Sequence, residues 1–454
     1  MKRGLTAVLV ACGVAAAAAG ANSAASAAGS VHPAGASPAK IAALRAQLRN
    51  DTLARDHGTV NICAAHHLLC QAIEVTTGKS SVQPMAFRPP VGYGARELEK
   101  AYGVRTGPSR TGTIVVIGAG AYPTLASDLA IYRSTYKLPP CTVASGCFKQ
   151  MNYLGGAPYQ PAKGLDNQFG EEEIAVETSL DVDMASAACP RCKIISMQVP
   201  LRDGFFGNKQ HIHNAILHFA TGVRTAARLG ASAVSISYGY PTDKYSDTGS
   251  IAKMMRHPGM PIVSSSGDDG FLGRSGQWPQ SLPTVTSAGG TSLYPEDNAR
   301  GFDEVAWTFA GSGCSPDLPP ATGQPKSVSK LCHGHRAAGD ISAVADPYTG
   351  VAVYDSYAPA TGDPSGFLVI GGTSVASPLI AGLYARAPRN ASVVGPNTLY
   401  AAKPAVFNDV TVGTNAGVGY CGTVGIGDAV CDAGSGWDGP TGLGSPTGSA
   451  TFSG

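Results

Sequence analysis

The segment Gly-Gly-Thr-Ser-Val-Ala-Ser-Pro at residues 371–378 constrains the chain most, because it runs directly into the apolar stretch Leu-Ile-Ala-Gly-Leu-Tyr-Ala. Pro378 is tolerated only near the start of a helix, since deeper in a helix it removes an N–H group and clashes with the preceding turn. The segment therefore predicts a helix that begins next to Ser374. A serine there lies beside unpaired backbone N–H groups, which are able to stabilise an oxyanion. The alternative is that Ser374 or Thr373 is simply the N-cap of the helix.

From about Pro89 onward, apolar and β-branched segments alternate with helical ones. With 454 residues and 43% apolar content, the chain is long enough to bury a large core. Buried strands that alternate with helices predict an α/β fold with a mostly parallel sheet. The candidate strands are Thr113–Gly118, Lys193–Val199, Ala233–Tyr238 and Pro261–Ser266, and the candidate helices are Glu172–Ala188 and Asn214–Leu229.

Residues 1–29 have the features of a signal peptide, because a short basic start precedes an apolar stretch and small residues of the Ala-x-Ala type. Residues 30–88 form a distinct leader, which we interpret as a short prosegment or an N-terminal arm. Residues 89–454 form one large domain, and no later stretch is long and apolar enough to span a bilayer. These features predict a secreted protein.

Cysteine usage agrees with export, because Cys12 falls in the signal and the other ten cysteines form neighbouring couples. Cys189-Pro-Arg-Cys192 also has the spacing of a redox or zinc site, although a single CxxC is weak evidence for either. The formal net charge is only +2, and the basic residues do not cluster along one segment, which argues against nucleic-acid binding. We predict five disulfides, in the couples Cys63/Cys70, Cys141/Cys147, Cys189/Cys192, Cys314/Cys332 and Cys421/Cys431.

A nucleophilic serine needs a base, and the histidines of this chain do not provide an obvious one. None lies in a His-Gly-Thr context, and the pairs His211-Ile-His213 and His333-Gly-His335 have metal-like spacing without a third ligand nearby. Glu177 and Asp181 are four residues apart in a predicted helix, so they share one face and oppose each other's ionisation. The pair is either suited to general acid–base catalysis or an ordinary solvated helix face.

The run Gly267-Asp-Asp-Gly270 follows one of the apolar candidate strands. Ligand sites in parallel α/β sheets gather beyond the carboxyl ends of the strands. Asp268 is therefore a candidate site residue, and the alternative is an aspartate that caps a turn.

Several short segments, each weak alone, occur in an order that resembles the sedolisin family of serine-carboxyl peptidases. The resemblance covers residues 89–454 and implies a subtilisin-like peptidase domain, with a mostly parallel central sheet and helices on both faces. The segments are 94–102, Glu177-Thr-Ser-Leu-Asp-Val-Asp183, Ser235-Ile-Ser-Tyr-Gly239, Ser266-Gly-Asp-Asp-Gly270, Gly289-Gly-Thr-Ser-Leu293, Ala345-Asp-Pro-Tyr-Thr-Gly350, Gly371-Gly-Thr-Ser374 and 434–446.

The resemblance implies that Ser374 is the nucleophile and that Glu177 is the general base, which takes the serine proton and returns it to the leaving amine. Asp181 would orient and tune Glu177, and Asp268 would take the oxyanion position, with Asp269 as the alternative. Because a carboxylic acid donates a hydrogen bond and a carboxylate does not, Asp268 must be protonated in that role. We therefore expect a serine-carboxyl endopeptidase whose activity is highest below neutral pH and passes through an acyl-enzyme on Ser374.

The family resemblance also implies a Ca²⁺ site near the C-terminus, built from hard oxygen ligands. A Gly-rich turn capped by Asp438 is the simpler interpretation, and Asp428 and Asp432 are alternative ligands. The implied ligands are the carboxylates of Asp409 and Asp438 and the backbone carbonyls of Val410, Gly434 and Gly436.

Ser237, Tyr238 and Gly239 match a strand that pairs with the substrate backbone in this family, and a buried sheet strand is the alternative. The expected partners are peptide or protein substrates, and the expected state is a monomer. Three other functions are weighed against a peptidase. They are an inactive family member that serves as a binding module, an esterase or acyltransferase on the same serine, and a metal-dependent hydrolase built on the histidine pairs.

Overall fold

An eight-stranded, mostly parallel sheet forms the centre of the fold. The structure is a computed structural model that describes residues 58–61, 69–76, 91–105, 111–241, 249–274, 276–360, 366–416 and 426–453, all within one compact unit. The predicted signal peptide and most of the predicted leader lie outside the described residues.

The strands are numbered in chain order over the described residues. They are β1 (Gly58–Asn61), β2 (Ile73–Thr76), β3 (Thr113–Ala119), β4 (Phe148–Asn152), β5 (Lys193–Val199), β6 (Ala233–Ile236), β7 (Tyr240–Pro241), β8 (Ile262–Ser265), β9 (Gln277–Trp278), β10 (Thr286–Pro295), β11 (Phe302–Ala306), β12 (Gly313–Cys314), β13 (Ala337–Ala338), β14 (Ile341–Val344), β15 (Val351–Asp355), β16 (Gly366–Gly371), β17 (Phe407–Asn408) and β18 (Ser445–Pro446).

The α-helices are numbered in the same way. They are α1 (Ala95–Ala101), α2 (Leu125–Thr135), α3 (Leu165–Ala188), α4 (Lys209–Arg228), α5 (Gly249–Met254), α6 (Lys326–Leu331), α7 (Thr373–Arg386) and α8 (Asn397–Ala401).

The central sheet has the strand order β11-β10-β8-β6-β3-β5-β4, and β14 also pairs with β10. All of these pairings are parallel except that of β10 with β11. Parallel strands need crossover connections, and the helices between them provide these. The predicted α/β architecture with a mostly parallel sheet is confirmed.

Helices cover both faces of this sheet, because neighbouring residues of β3 point to opposite sides. Gly222 of α4 lies against the side chains of Ile117 and Met197, whereas Gly118, the next residue of β3, lies against Thr178 of α3. Helix α7 packs against α3 on the same side of the sheet. Helix α3 is consequently buried along most of its length.

A second, smaller sheet lies beside the first and has the antiparallel order β1-β2-β16-β15. Two of its strands, β1 and β2, come from the segment that the sequence assigned to a prosegment or arm. Strand β16 leads directly into α7, so this sheet holds the entry to the helix that carries Ser374.

The structure confirms three of the predicted disulfides, Cys141–Cys147, Cys189–Cys192 and Cys314–Cys332. Cys70 and Cys431 are also disulfide-bonded, and their predicted partners Cys63 and Cys421 lie outside the described residues. Among the helices that the structure describes, none combines the length and apolar character needed to cross a membrane.

Candidate active site

The Gly-Thr-Ser segment forms the turn between β16 and α7. Gly372 has a φ of +96°, which disfavours other residues, and a Cβ atom there would lie 2.2 Å from the carbonyl oxygen of Gln71. Ser374 follows in the first turn of α7 and is fully buried. Its backbone N–H group donates to the Gln71 carbonyl at 3.3 Å. The prediction of a helix start next to Ser374 is therefore confirmed.

Glu177 and Asp181 lie one turn apart in α3, and both are fully buried. The interpretation of this pair as a solvated helix face is therefore wrong. The Ser237 hydroxyl donates to Asp181 Oδ1 at 2.6 Å, and the Ser374 hydroxyl contacts the Glu177 carboxyl. Because the sheet and α7 enclose α3, the two carboxyls face the interior next to the predicted nucleophile.

Burial raises the pKa of Glu177 well above its usual value, and the neighbouring charge of Asp181 raises it further. Contacts with the Ser374 hydroxyl and with the backbone of Gln71 lower it. Burial also raises the pKa of Asp181, against the hydrogen bond from Ser237. Two carboxyls in such proximity do not ionise independently, so the pair tends to retain a proton and is able to accept and return one.

Asp268 lies just beyond the carboxyl end of β8 and is buried. Its Oδ1 atom accepts hydrogen bonds from the backbone N–H and the hydroxyl of Thr373, each at 2.8 Å. Burial raises the pKa of Asp268 to about 7, although both bonds from Thr373 lower it. Asp269 is exposed, so the geometry favours Asp268 over its neighbour as the buried site residue.

The four predicted catalytic side chains share one property, namely buried oxygen atoms that lack a hydrogen bond of standard geometry within the described part of the chain. Buried polar atoms are nearly always satisfied in folded proteins, so a cluster of exceptions needs an explanation. The explanation we favour is a catalytic site, whose polar atoms are left available to exchange protons and to bind a reacting carbonyl group. The atoms are Ser374 Oγ, Glu177 Oε1 and Oε2, Asp181 Oδ2 and Asp268 Oδ2.

The residues predicted to bind substrate follow β6, which ends at Ile236, before the predicted strand end. Ser237 and Tyr238 are fully buried, and the Tyr238 hydroxyl accepts a hydrogen bond from the backbone of Ala119 at 3.3 Å. The backbone N–H of Gly239 donates at 2.9 Å to the carbonyl of Leu69. The side chains of Ser237 and Tyr238 are thus internal, while the backbone at Gly239 pairs with another segment.

Two residues at the site received no catalytic or binding role from the sequence. Thr373 holds Asp268 through two hydrogen bonds, and its place in the Gly-Thr-Ser motif was the available signal. The carbonyl of Gln71 accepts a hydrogen bond from the backbone N–H of Ser374, and no sequence motif around Gln71 predicts that contact. Its position depends on pairing with distant strands.

The residues of the implied calcium site lie in two loops that meet. The backbone N–H of Gly436 donates to both oxygens of Asp409, at 3.1 and 3.0 Å, and that of Gly434 donates to Asp438 Oδ2 at 3.2 Å. Burial raises the pKa of Asp438 to about 8, and the charge of Asp409 contributes to the increase. Val410 is buried in the same region.

No three His, Cys, Asp or Glu side chains in the described ranges are grouped as they would be around a metal ion. Of the histidine pairs, His211 lies in the first turn of α4, where its Nε2 atom contacts the carbonyl oxygen of Phe205 at 3.1 Å. A calcium site at Asp409 and Asp438 would consequently rest on two carboxylates and on backbone carbonyls.

Comparison with known proteins defines the fold first. The chain superposes on a solved structure of Pseudomonas sedolisin, a serine-carboxyl proteinase in complex with two molecules of pseudo-iodotyrostatin. The match has a TM-score of 0.57 at 22% identity and covers 79% of this chain and 96% of that one. The chain therefore has the subtilisin-like α/β fold.

Sequence similarity then identifies relatives of the chain. The chain is 30% identical over 322 residues to kumamolisin of Bacillus sp. (strain MN-32), a match that covers 65% of this chain and 52% of kumamolisin. It is 33% identical over 186 residues to sedolisin of Pseudomonas sp. (strain 101), covering 37% and 28% of the two chains. No protein-family model matches the chain. The chain is similar to these serine-carboxyl peptidases, and it spans about half the length of the kumamolisin that it matches.

Proposed function

We propose that the chain is a serine-type endopeptidase that hydrolyses peptide bonds at acidic pH. The observation that carries this proposal is the buried cluster of Ser374, Glu177, Asp181 and Asp268, with oxygen atoms that lack hydrogen-bond partners in the described structure. The similarity of the chain to kumamolisin and sedolisin supports the same proposal.

In the proposed reaction, Ser374 Oγ attacks the carbonyl carbon of the peptide bond and passes its proton to Glu177. Glu177 then gives this proton to the leaving amine, and an ester between the substrate and Ser374 remains. Water hydrolyses the ester with Glu177 again as the base. Asp181, held by Ser237, keeps the Glu177 carboxyl oriented and shares its proton.

Negative charge develops on the carbonyl oxygen during the attack, and two groups would stabilise it. One is the backbone N–H of Ser374, and the other is Oδ2 of Asp268 in its protonated form. The reactive form therefore needs a neutral Asp268 and an ionised Glu177. Since burial raises the pKa of Asp268 to about 7, the neutral form prevails below that pH.

The first test is the hydrolysis of denatured casein between pH 2 and pH 9 by the chain and by its Ser374→Ala variant. We expect cleavage that depends on Ser374 and decreases above neutral pH. Folding of the variant, checked by circular dichroism, is the control. Equal cleavage by both proteins, or folded wild-type protein that cleaves at no pH, would contradict the proposal.

We also propose that Ca²⁺ binds where the two C-terminal loops meet. The donor set suits this ion, because the carboxylates of Asp409 and Asp438 lie near each other and Asp438 is buried. Backbone carbonyls of Val410, Gly434 and Gly436 would complete the site. A bound cation would remove the repulsion between the two carboxylates and join the loops, which is a structural role away from Ser374.

Calorimetric titration of the Ser374→Ala variant with CaCl₂ tests the calcium proposal without self-digestion. We expect saturable binding and a higher melting temperature, worth about 3 kcal/mol when the ion is at a hundred times its Kd. Asp409→Asn should abolish both effects. If Asp409→Asn still bound Ca²⁺ and Asp432→Asn did not, the ligand would be Asp432 and the proposed assignment of Asp409 would be wrong.

Secretion through the signal peptide at residues 1–29 is the third part of the proposal. Disulfides such as Cys141–Cys147 and Cys314–Cys332 support it, because such bonds persist in oxidising compartments. Fractionation of the producing cells, with the protein found in the medium and without its first residues, would test this.

A further inference from the structure

Residues 71–73 mark the course of an extended peptide beside Ser374. The carbonyl of Gln71 accepts a hydrogen bond at 3.3 Å from the backbone N–H of Ser374, the first donor of the proposed oxyanion site. A residue at the position of Gln71 therefore has its carbonyl group where the reacting carbonyl of a substrate must lie. The position of Ile73 is then that of the second residue after the cleaved bond, on the side of the leaving amine.

Backbone pairing fixes the course of a peptide at this second position. Ile73 lies opposite Gly371 in the antiparallel pairing of β2 with β16, just ahead of the helix that carries Ser374. A peptide that binds by adding a strand to a sheet obtains affinity from such backbone bonds and specificity from pockets for its alternate side chains. The surroundings of the Ile73 side chain therefore indicate what the site accepts there.

The side chain of Ile73 is only 8% exposed and packs in a small apolar cluster with Trp307, Ala310 and Ala345. These three partners are themselves buried, and the cluster is separate from the main apolar core of the described chain. A separate cluster of this kind forms a local pocket rather than a part of the continuous core. Its walls are an indole ring and two methyl groups, which enclose a branched aliphatic side chain almost completely.

A glycine lets these walls come close together. A Cβ atom on Gly290 would lie 2.7 Å from the Cβ of Ala345 and 3.1 Å from the ring of Trp307. It would also lie 3.3 Å from the Cβ of Ala310. The backbone N–H of Trp307 donates to the carbonyl of Gly290 at 3.0 Å, and its ring meets that of Phe309 edge to face at 5.7 Å between centroids. The indole wall is therefore held in one orientation.

The pocket is joined to both sides of the proposed oxyanion site. The carbonyl of Ala345 accepts a hydrogen bond at 2.6 Å from the N–H of Gly372, in the turn that leads to the nucleophile. The N–H of Gly311, in the loop that provides the other alanine, donates at 2.7 Å to the carbonyl of Gly267, next to Asp268. The distance from the pocket to the reacting groups is consequently fixed by backbone contacts.

We propose that Trp307, Ala310 and Ala345 form a specificity pocket for the second residue after the cleaved bond, and that it selects substrates with a branched aliphatic side chain there. This inference rests on the proposed peptidase function. Burial of such a side chain is favourable in proportion to the apolar area removed from water. A glycine would leave the pocket empty. A charged side chain would lose its hydration, because an indole ring and two methyl groups offer it no partner.

The first experiment measures the preference directly. Denatured casein is digested at pH 5, the released peptides are sequenced by mass spectrometry, and one cleaved sequence is synthesised as a quenched fluorescent peptide. Four versions carry isoleucine, glycine, aspartate or lysine as the second residue after the cut. We expect kcat/KM for the isoleucine peptide to exceed that for the glycine peptide by roughly 10- to 100-fold, and the charged peptides to be no better than glycine.

Ala345→Val tests the pocket itself, because it fills part of the space with two more carbon atoms. We expect the ratio of kcat/KM for the isoleucine and glycine peptides to fall by roughly tenfold, with kcat/KM for the glycine peptide unchanged. The matched control Ala144→Val makes the same change at an exposed position in the loop closed by Cys141–Cys147 and should leave the ratio unchanged. If Ala345→Val does not fold, Ala310→Val fills the same pocket and should have the same effect.

The outcomes separate this inference from the proposed function. An enzyme that digests casein but cleaves the isoleucine and glycine peptides equally well overturns the pocket and leaves the peptidase function intact. A loss of the same size on both peptides in the folded Ala345→Val variant reflects damage to catalysis rather than to a pocket, and it also overturns the assignment. A folded chain that digests no casein overturns the proposed function, and the inference with it.

Discussion

The Asp268→Asn substitution isolates the proposed oxyanion role from the other titrations in the site. Oδ1 of Asp268 accepts two hydrogen bonds from Thr373, and an asparagine carbonyl oxygen accepts the same two. The atom that replaces Oδ2 is then an amide nitrogen, which donates at every pH. The variant keeps the donor and loses its need for a proton.

The magnitude follows from the pKa of Asp268, which burial raises to about 7. The protonated fraction of the wild-type residue is then about one half at pH 7 and about one tenth at pH 8. We expect the ratio of Asp268→Asn to wild-type kcat/KM to rise roughly tenfold between pH 5 and pH 8, and tenfold again by pH 9. The ratio cancels most of the titration of Glu177 and Asp181, because both proteins contain them. The ionised Asp268 of the wild type also raises the pKa of Glu177, which changes the ratio in the same direction.

The assay is kcat/KM for one peptide substrate from pH 3 to pH 9, with folding checked at each pH. Asp269→Asn is the matched control, since it makes the same chemical change one residue away at an exposed position. A ratio that stays flat for Asp268→Asn, or a rise of the same size for Asp269→Asn, would refute the oxyanion assignment. Asp268→Ala, which has no donor, should lose about 10²–10³-fold in kcat at pH 5.

Three further predictions concern the base and the buried charges. Glu177→Gln should lower kcat by roughly 10²–10⁴-fold with little change in KM, measured by steady-state kinetics. Arg336→Met should cost about 3–5 kcal/mol in urea unfolding, because Arg336 and Asp340 form a fully buried pair at 2.6 Å and Asp340 would lose its countercharge. Burial raises the pKa of Asp355 from 3.8 to about 7. The folded state therefore binds a proton more tightly than the unfolded state, and the resulting stabilisation is complete below pH 3.8 and is lost as the pH rises through about 7. On a Ser374→Ala background, Asp355→Asn should therefore reduce the loss of unfolding free energy between pH 4 and pH 8, by at most roughly 4 kcal/mol.

The parts of this protein that the sequence predicted are those with local causes. Apolar β-branched runs predicted β3 and β5 almost to the residue, and Pro378 with its apolar continuation predicted the start of α7. Neighbouring cysteines predicted the disulfides that the structure describes. Each of these signals acts over a few residues, so each can be read without knowledge of the tertiary structure.

The parts that the sequence did not predict depend on distant contacts. The spacing of Glu177 and Asp181 favoured a solvated helix face when taken alone, and only the packing of α3 against the sheet and α7 shows that both carboxyls are buried. Gln71 lies in a segment with no motif, and its position is fixed by pairing with Tyr238 and with strand β16, both from much later in the chain. Helix α3 begins at Leu165, ahead of the predicted start at Glu172.

Burial alone would protonate Glu177 and Asp268 together, yet the proposed reaction needs the first ionised and the second neutral. The two groups differ in the atoms that contact them when a peptide segment occupies the site beside Ser374. Glu177 faces the Ser374 hydroxyl and the backbone of Gln71, and both contacts lower its pKa. The hydrogen bonds from Thr373 to Asp268 belong to the enzyme and do not depend on the occupant. A substrate backbone in the position of Gln71 would therefore favour ionisation of the base selectively, so that binding itself helps to establish the reactive protonation state.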